Sequence, residues 1–162
     1  MAVNRGKQFE DVVREAFEKV PGVSIDRLHD QTTGFKGSTN ICDFIVYREP
    51  YEYYFECKSV HGNRLPFGNI TETQWKGLME KSQIDGVFAG VICWWIDKDR
   101  TFFLPIQKLA VWRYFDSALQ LKSISVEQAE KDVGCIEIKG KKKRVFFDYD
   151  MEEFLDDISE ST

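Results

Sequence analysis

What is scarce in this sequence narrows its class before any motif is read. No apolar stretch approaches the roughly 20 residues that a membrane-spanning helix needs. The longest, Gly86 to Ile96, has the length of a buried strand. The N-terminal Met1-Ala2-Val3-Asn4-Arg5 lacks the apolar core of a secretory signal, so the expectation is a cytoplasmic protein with no membrane partner. Four cysteines (Cys42, Cys57, Cys93 and Cys135) contain no CxxC pair, and there are only two histidines. That combination argues against a zinc site and makes reduced core thiols the default. Repeats, linkers and low-complexity segments are missing too. So is any excess of positive charge: 22 basic against 27 acidic residues give a net charge of -5. A basic domain is common among nucleic-acid binders, so this balance weighs against that class, unless a cluster of carboxylates is held in readiness for cations.

What is present is enough for one core. The 162 residues are 43% hydrophobic and 14% aromatic, which fits a single folded domain and excludes a disordered chain. The domain spans 1-162, with a core over about 4-116 and an α/β extension over about 117-162. Asn4 can cap a helix running to about Val20, with Phe9, Val13, Ala16, Phe17 and Val20 as its buried stripe. Pro21-Gly22 ends it, and Val23 to Leu28 reads as a strand. His29 to Asn40 is a polar loop. Ile41 to Tyr47 and Tyr51 to Ser59, joined at Arg48-Glu49-Pro50, read as an antiparallel hairpin. His61 to Asn69 reads as a second loop. Thr71 to Ser82 is a helix with Trp75, Leu78 and Met79 on one face. Val87 to Trp95 is apolar on both pleat faces, as a central, doubly covered strand would be. A strand at Thr101 to Leu104, a helix over Gln107 to Phe115, and a weaker helix near Val126 to Lys131 follow. A hairpin with Lys139 to Lys143 at its tip and an acidic helix from about Asp150 end the chain. This order predicts an α/β fold: a sandwich around a mixed β-sheet flanked by helices.

The chemistry concentrates in the first hairpin. Asp43 lies thirteen residues before Glu56 in Glu56-Cys57-Lys58. Side chains alternate along a strand, so Glu56 and Lys58 share one face and Cys57 takes the other. By the same parity Cys42, Phe44 and Val46 face away from Asp43, and Cys42 and Cys57 belong to the core. Two carboxylates and an ammonium can thus converge across one hairpin. Carboxylates bind Mg²⁺, which retains waters for substrate. The metal polarises a scissile phosphate and acidifies a bound water, and a lysine beside the attack site can orient the nucleophile or stabilise developing charge. The competing reading is a surface Glu56-Lys58 salt bridge on an ordinary amphipathic strand. Glu10, only about 20° beyond Phe17 around the helix, borders the buried stripe and could lean toward the sheet as a third acid, or could equally be a solvated helix glutamate. Gln74 lies near the site, but Thr71-x-x-Gln74 is also a capping box, and one side chain would not easily fill both roles.

These residues, in this order, resemble the PD-(D/E)xK nuclease superfamily and, more closely, a phage-type member of the RecU family of Holliday-junction resolvases. The stretches that carry the resemblance are Asn4-Arg5-Gly6 through Glu10-Asp11, Ser38-Thr39 leading to Asp43, Tyr54 to Lys58, Leu65-Pro66-Phe67 before Gln74, Asp85-Gly86-Val87, and Phe102-Phe103-Leu104. The similarity covers roughly residues 4 to 112. It implies a restriction-endonuclease-like mixed β-sheet flanked by helices, that Asp43, Glu56 and Glu10 hold the metal, that Lys58 and Gln74 are catalytic, and that Ser38 and Thr39 line the site. It also implies Mg²⁺ as cofactor with Mn²⁺ able to substitute, no organic cofactor, branched DNA as partner, and a homodimer nicking opposed strands symmetrically. There are two departures. RecU proteins carry a long stalk before the Ser-Thr pair, where only His29 to Gly37 stand here, and one extra residue lies between Thr39 and Asp43.

Other residues carry two readings each. Lys141, Lys142 and Lys143 are either phosphate contacts or a solvated hairpin tip. Arg5 and Lys7 flank the proposed site and are better placed for phosphate. His61 reads as a loop residue more readily than as a proton carrier. Tyr53, Tyr54, Trp94 and Trp95 could stack on bases but read more readily as core. The function alternatives are another endonuclease of the superfamily acting on duplex, flap or branched DNA, a catalytically inactive DNA-binding module, and a generic interaction domain. Cleavage of junction against duplex, metal-dependent cleavage at all, and DNA binding at low salt separate them in turn.

Overall fold

The computed structural model describes residues 4-28, 40-115 and 121-161. Helix α1 (Arg5-Glu18) starts at the predicted cap, with Asn4 Oδ1 accepting from the Lys7 N-H at 3.1 Å. Its apolar stripe of Phe9, Val13, Ala16 and Phe17 is fully buried. The chain then runs through β1 (Ser24-Arg27), β2 (Phe44-Arg48), β3 (Tyr51-Val60), β4 (Arg64-Pro66), α2 (Glu72-Ser82), β5 (Val87-Trp95), β6 (Arg100-Pro105) and α3 (Ile106-Ala110). Beyond lie β7 (Ser123-Ser125), α4 (Val126-Lys131), β8 (Ile136-Glu137), β9 (Gly140-Lys142), β10 (Phe147-Tyr149) and α5 (Met151-Glu160).

The main sheet has the order β1-β2-β3-β5-β6-β8. All neighbours are antiparallel except β3 and β5, which pair in parallel from Glu52↔Val87 to Val60↔Trp95. The link between that parallel pair contains α2, as a crossover requires. The sheet is therefore mixed and covered on both faces, as expected. On one face α1 and α5 enclose Phe44, Val46, Tyr53, Phe55, Ile92, Trp94 and Phe103. Phe17 stacks on Phe55 at 5.5 Å, and Phe154 of α5 joins them. On the other face α2, α3 and α4 enclose Tyr54, Val60, Val91, Cys93, Trp95 and Leu104. Tyr53, Tyr54, Trp94 and Trp95 are all core residues. No helix among the described residues is long and apolar enough to cross a membrane.

Several elements differ from expectation. The loop read over His61 to Asn69 contains β4, which pairs with β7 (Leu65↔Ile124), a partner some 60 residues away that a local pattern does not reveal. The helix read over Gln107 to Phe115 is α-helical only to Ala110 and continues as a π-helical turn, Val111-Phe115. Lys139 to Lys143 are not the tip of the last hairpin. Lys141 and Lys142 sit within β9, opposite Asp148 and Phe147, and the turn falls at Lys143 to Phe146. Strand β2 starts at Phe44, three residues later than Ile41. As a result Cys42 lies off the pleat and packs in the α2-side core, not with Phe44 and Val46.

Candidate active site

Strand β3 sorts its residues by parity. Phe55 and Cys57 enter the α1-side core, while Tyr54 and Val60 enter the α2-side core. Glu56 and Lys58 lie on the pleat face of Tyr54 and Val60. Glu56 is only 4% exposed, and its Oε2 is 2.8 Å from Lys58 Nζ. The ion pair that the bland reading proposed therefore exists, but it is not a surface pair.

Asp43 is fixed by three hydrogen bonds. Its N-H donates to the Phe55 carbonyl at 3.1 Å, its carbonyl accepts from the Leu28 N-H at 2.8 Å, and Oδ2 accepts from the Cys57 N-H at 2.8 Å. The side chain thus satisfies a backbone donor of β3, and the carboxylate is held beside Glu56. Across from them, α1 brings Glu10. Glu10 Oε2 receives Arg27 Nη2 at 3.1 Å, and Arg27 Nη1 donates to Asp11 at 2.8 Å. Arg27 was not singled out from sequence. The available signal was its position on the Val23-Ile25 face of β1, where an apolar residue would be expected.

Helix α2 closes the remaining side. A Cβ on Gly77 would lie 2.2 Å from Ile41 Cγ2, so only glycine lets α2 approach the segment leading into Asp43 this closely. The Thr71-Gln74 capping box forms, with Thr71 N-H donating to Gln74 Oε1 at 3.0 Å, and Gln74 also lines the cleft. The cap uses Oε1 and leaves Nε2 without a partner among the described residues. The resulting cleft encloses about 740 Å³ and brings together Lys7, Glu10, Arg27, Asp43, Glu56, Lys58 and Gln74. Arg5 lies outside it, its guanidinium 5.7 Å from the Phe146 ring in the last hairpin. Lys141, Lys142 and Lys143 are exposed and do not line it, and Lys142 is paired with Asp99. His61 is exposed, bonded to Asp97, and also outside the cleft. Ser38 and Thr39 fall outside the described residues.

The electrostatics follow from crowding acids in a partly dry site. Burial, then hydrogen bonding to and repulsion from Asp43, push the Glu10 carboxyl up to about 8, against the lowering influence of Arg27. Burial and then the charge of Glu56 push Asp43 up to about 6. Burial also raises Glu56, with Lys58 opposing. Like charge within this set favours keeping a proton, and positive charge arriving in the cleft favours the ionised forms. Among the described residues no group of three His, Cys, Asp or Glu side chains forms a ready-made metal cage. The donors still suit Mg²⁺, which takes oxygen ligands, is commonly held by one or two carboxylates, and fills its shell with water and substrate phosphate.

The architecture fixes the class of fold. It is similar to the 1.6 Å structure of Hjc from Archaeoglobus fulgidus, a Holliday junction resolvase from an archaeal hyperthermophile, with a TM-score of 0.51 and 18% identity over 76% of this chain and 90% of that one. The chain thus has a resolvase-type α/β fold. The sequence gives the family: the recombination protein U (RecU) family matches residues 23-149, and the chain belongs to it. This is a family of Holliday junction resolvases, which places the protein among the nucleases. No curated protein matches the chain. The family match begins after α1, so Glu10 lies outside it, and it extends through β10, well into the segment that sequence reading set apart as an extension.

Proposed function

We propose that this protein is a Mg²⁺-dependent endonuclease that resolves four-way DNA junctions by paired, symmetric nicks, acting as a homodimer. The observation that carries this is the convergence of Asp43, Glu56, Lys58 and Glu10 in one cleft. Asp43 and Glu56, with Glu10 beside them, would hold the cation, which when bound activates a water and polarises the scissile phosphate. Lys58, steered by Glu56, offers its ammonium to the nucleophile or to the charge that develops on phosphorus oxygens. Gln74 has an amide nitrogen available to donate, while its oxygen keeps α2 capped. Lys7 at the cleft supplies a cation for flanking phosphates, and Arg5, outside the cleft on the same helix, supplies a second further along the DNA. Two copies related by a two-fold axis would match the symmetry of a four-way junction.

The test is cleavage of a labelled immobile four-way junction beside a linear duplex of the same sequence, with Mg²⁺ and with EDTA. Symmetric nicks in the junction alone, lost with EDTA, are expected, and Mn²⁺ should replace Mg²⁺. Equal cutting of both substrates would move the role to a general DNA endonuclease. That reading draws support from the short His29-Gly37 segment that stands where a stalk would be. Binding without any metal-dependent cleavage would leave a DNA-binding module.

A further inference from the structure

The glycines of the chain divide by what holds them in place. A Cβ on Gly77, Gly90 or Gly140 would collide with Ile41 or with the backbone of Leu104 or Asp148, and one on Gly134 with the Lys108 side chain. Gly22, Gly62 and Gly86 have φ of 76°, 75° and 80°, in the left-handed region that glycine enters without steric cost. Among the described residues that leaves Gly6 and Gly68, where neither reason applies. Gly68 is exposed in the short 3₁₀ turn Phe67-Asn69 and lies outside the cleft. Gly6 is exposed too, but it lines the cleft.

The fold itself would accept a larger residue at Gly6. A Cβ there would lie 3.6 Å from Asn4 Oδ1 and 4.0 Å from Ser59 Oγ, both ordinary contacts, so the Asn4 cap would survive it. Glycine weakens a helix relative to alanine, because it has more backbone freedom to lose on folding. Helix α1 therefore gains nothing from glycine at this position. The cleft supplies the reason that the fold does not. Gly6 precedes Glu10 by four residues, so the two share one face of α1, a single turn apart. Lys7 stands beside it in the same wall of the cleft. A side chain on residue 6 would take up cleft space one turn from the acids, where glycine leaves the main chain bare. Bare main chain is what a ligand needs in order to pass close to a backbone.

We propose that Gly6 is a clearance site, where the sugar-phosphate backbone of the DNA strand held at Asp43, Glu56 and Glu10 passes against the main chain of α1. The choice of ligand rests on the DNA-cleaving reading given above. The probe is a fluorescently labelled four-way junction, its binding read by anisotropy in EDTA so that no catalysis is needed, beside thermal unfolding of the free protein. The variants are Gly6→Ala, Gly6→Gln and, as a control away from the cleft, Gly68→Ala. Alanine adds a methyl group and no charge, so a loss in Gly6→Ala reports space alone. Gly6→Ala should weaken junction binding about five-fold or more, and Gly6→Gln further, as overfilling a close contact does. The melting temperature of Gly6→Ala should hold or rise, because the helix is left with the better helix former. Gly68→Ala should bind within about two-fold of wild type, as an ordinary surface change does. Wild-type affinity in Gly6→Ala overturns the proposal. So does a recovery of affinity in Gly6→Gln, a melting temperature that falls along with affinity in Gly6→Ala, or an equal loss in Gly68→Ala. If wild type binds the junction and Gly6→Ala does not, yet wild type shows no metal-dependent cleavage, the resolvase reading fails and the clearance site stands. If wild type cuts junctions and Gly6→Ala binds them normally, the clearance site alone fails. A wild type that binds no junction sinks both.

Discussion

Two neighbouring residues of β3 are buried on opposite faces and do opposite things. Phe55 is fully buried on one side and Glu56 is 4% exposed on the other, one residue apart. On the α1 side the strand meets rings: Phe17, Phe103 and Phe154 around Phe55. On the other side it presents acids whose repulsion is only partly offset by Lys58 and Arg27. One face supplies the packing that lets the other hold charges a free chain would hydrate. Stability and activity should therefore respond to different residues of the same strand.

The largest expected effect is on activity. Glu56→Gln or Asp43→Asn should lower junction cleavage by at least about a thousand-fold, comparable to losing a main transition-state stabiliser. DNA binding should persist, and in Asp43→Asn the melting temperature should hold or rise, because a desolvated charge beside Glu56 is removed. Asparagine can still accept from the Cys57 N-H. Cleavage near wild type in either variant would refute the metal assignment. The mirror experiment is Phe55→Ala, which should cost about 3-5 kcal/mol of stability in denaturant unfolding. A loss below about 1 kcal/mol would mean the aromatic face is not what supports the site.

A smaller effect should appear in pH dependence. With Glu10 raised to about 8 and Asp43 to about 6, the folded metal-free protein keeps protons that the unfolded chain releases at the ordinary values of 4.5 and 3.8. That contribution to stability is complete below the ordinary values and is lost as pH rises through 6 to 8. Cation binding expels the same protons, so the thermal shift given by Mg²⁺ should grow between pH 6 and 8 and level off above. An equal Mg²⁺ shift at pH 5.5 and 8.5 would contradict the coupled cluster. The smallest effect concerns cations away from both faces. Lys141→Ala and Lys143→Ala should each reduce the salt slope of DNA binding by about one, whereas Lys142→Ala should leave it unchanged because that ammonium is engaged by Asp99. Equal slopes in all three variants would remove the hairpin from the DNA interface.

Much of this was legible in sequence because the signals are local. The α1 stripe, the β2-β3 hairpin and the apolar β5 each show within one window of residues, and pleat parity alone separates Glu56 and Lys58 from Cys57. The failures share a cause in long-range pairing. Strand β4 exists only because β7 lies beside it, and its Arg64-Leu65-Pro66 carries no strand pattern of its own. Cys42 left its predicted side because Asp43 turns its own side chain, not the next carbonyl, toward β3. Arg27 was missed because its partners, Glu10 and Asp11, come from another element. The tip of the last hairpin was misplaced because a run of lysines resembles a turn in composition, although β9 takes two of them into its ladder.

The hydrogen bond from the Cys57 N-H to Asp43 has a consequence for the order of events. Because this acid closes the end of the β2-β3 ladder, the hairpin cannot zip fully without bringing it beside Glu56. The two carboxylates are therefore brought together by folding itself, ahead of any cation or DNA. A mutation that slipped the strand by one residue would break this hydrogen bond and part the two carboxylates in the same step.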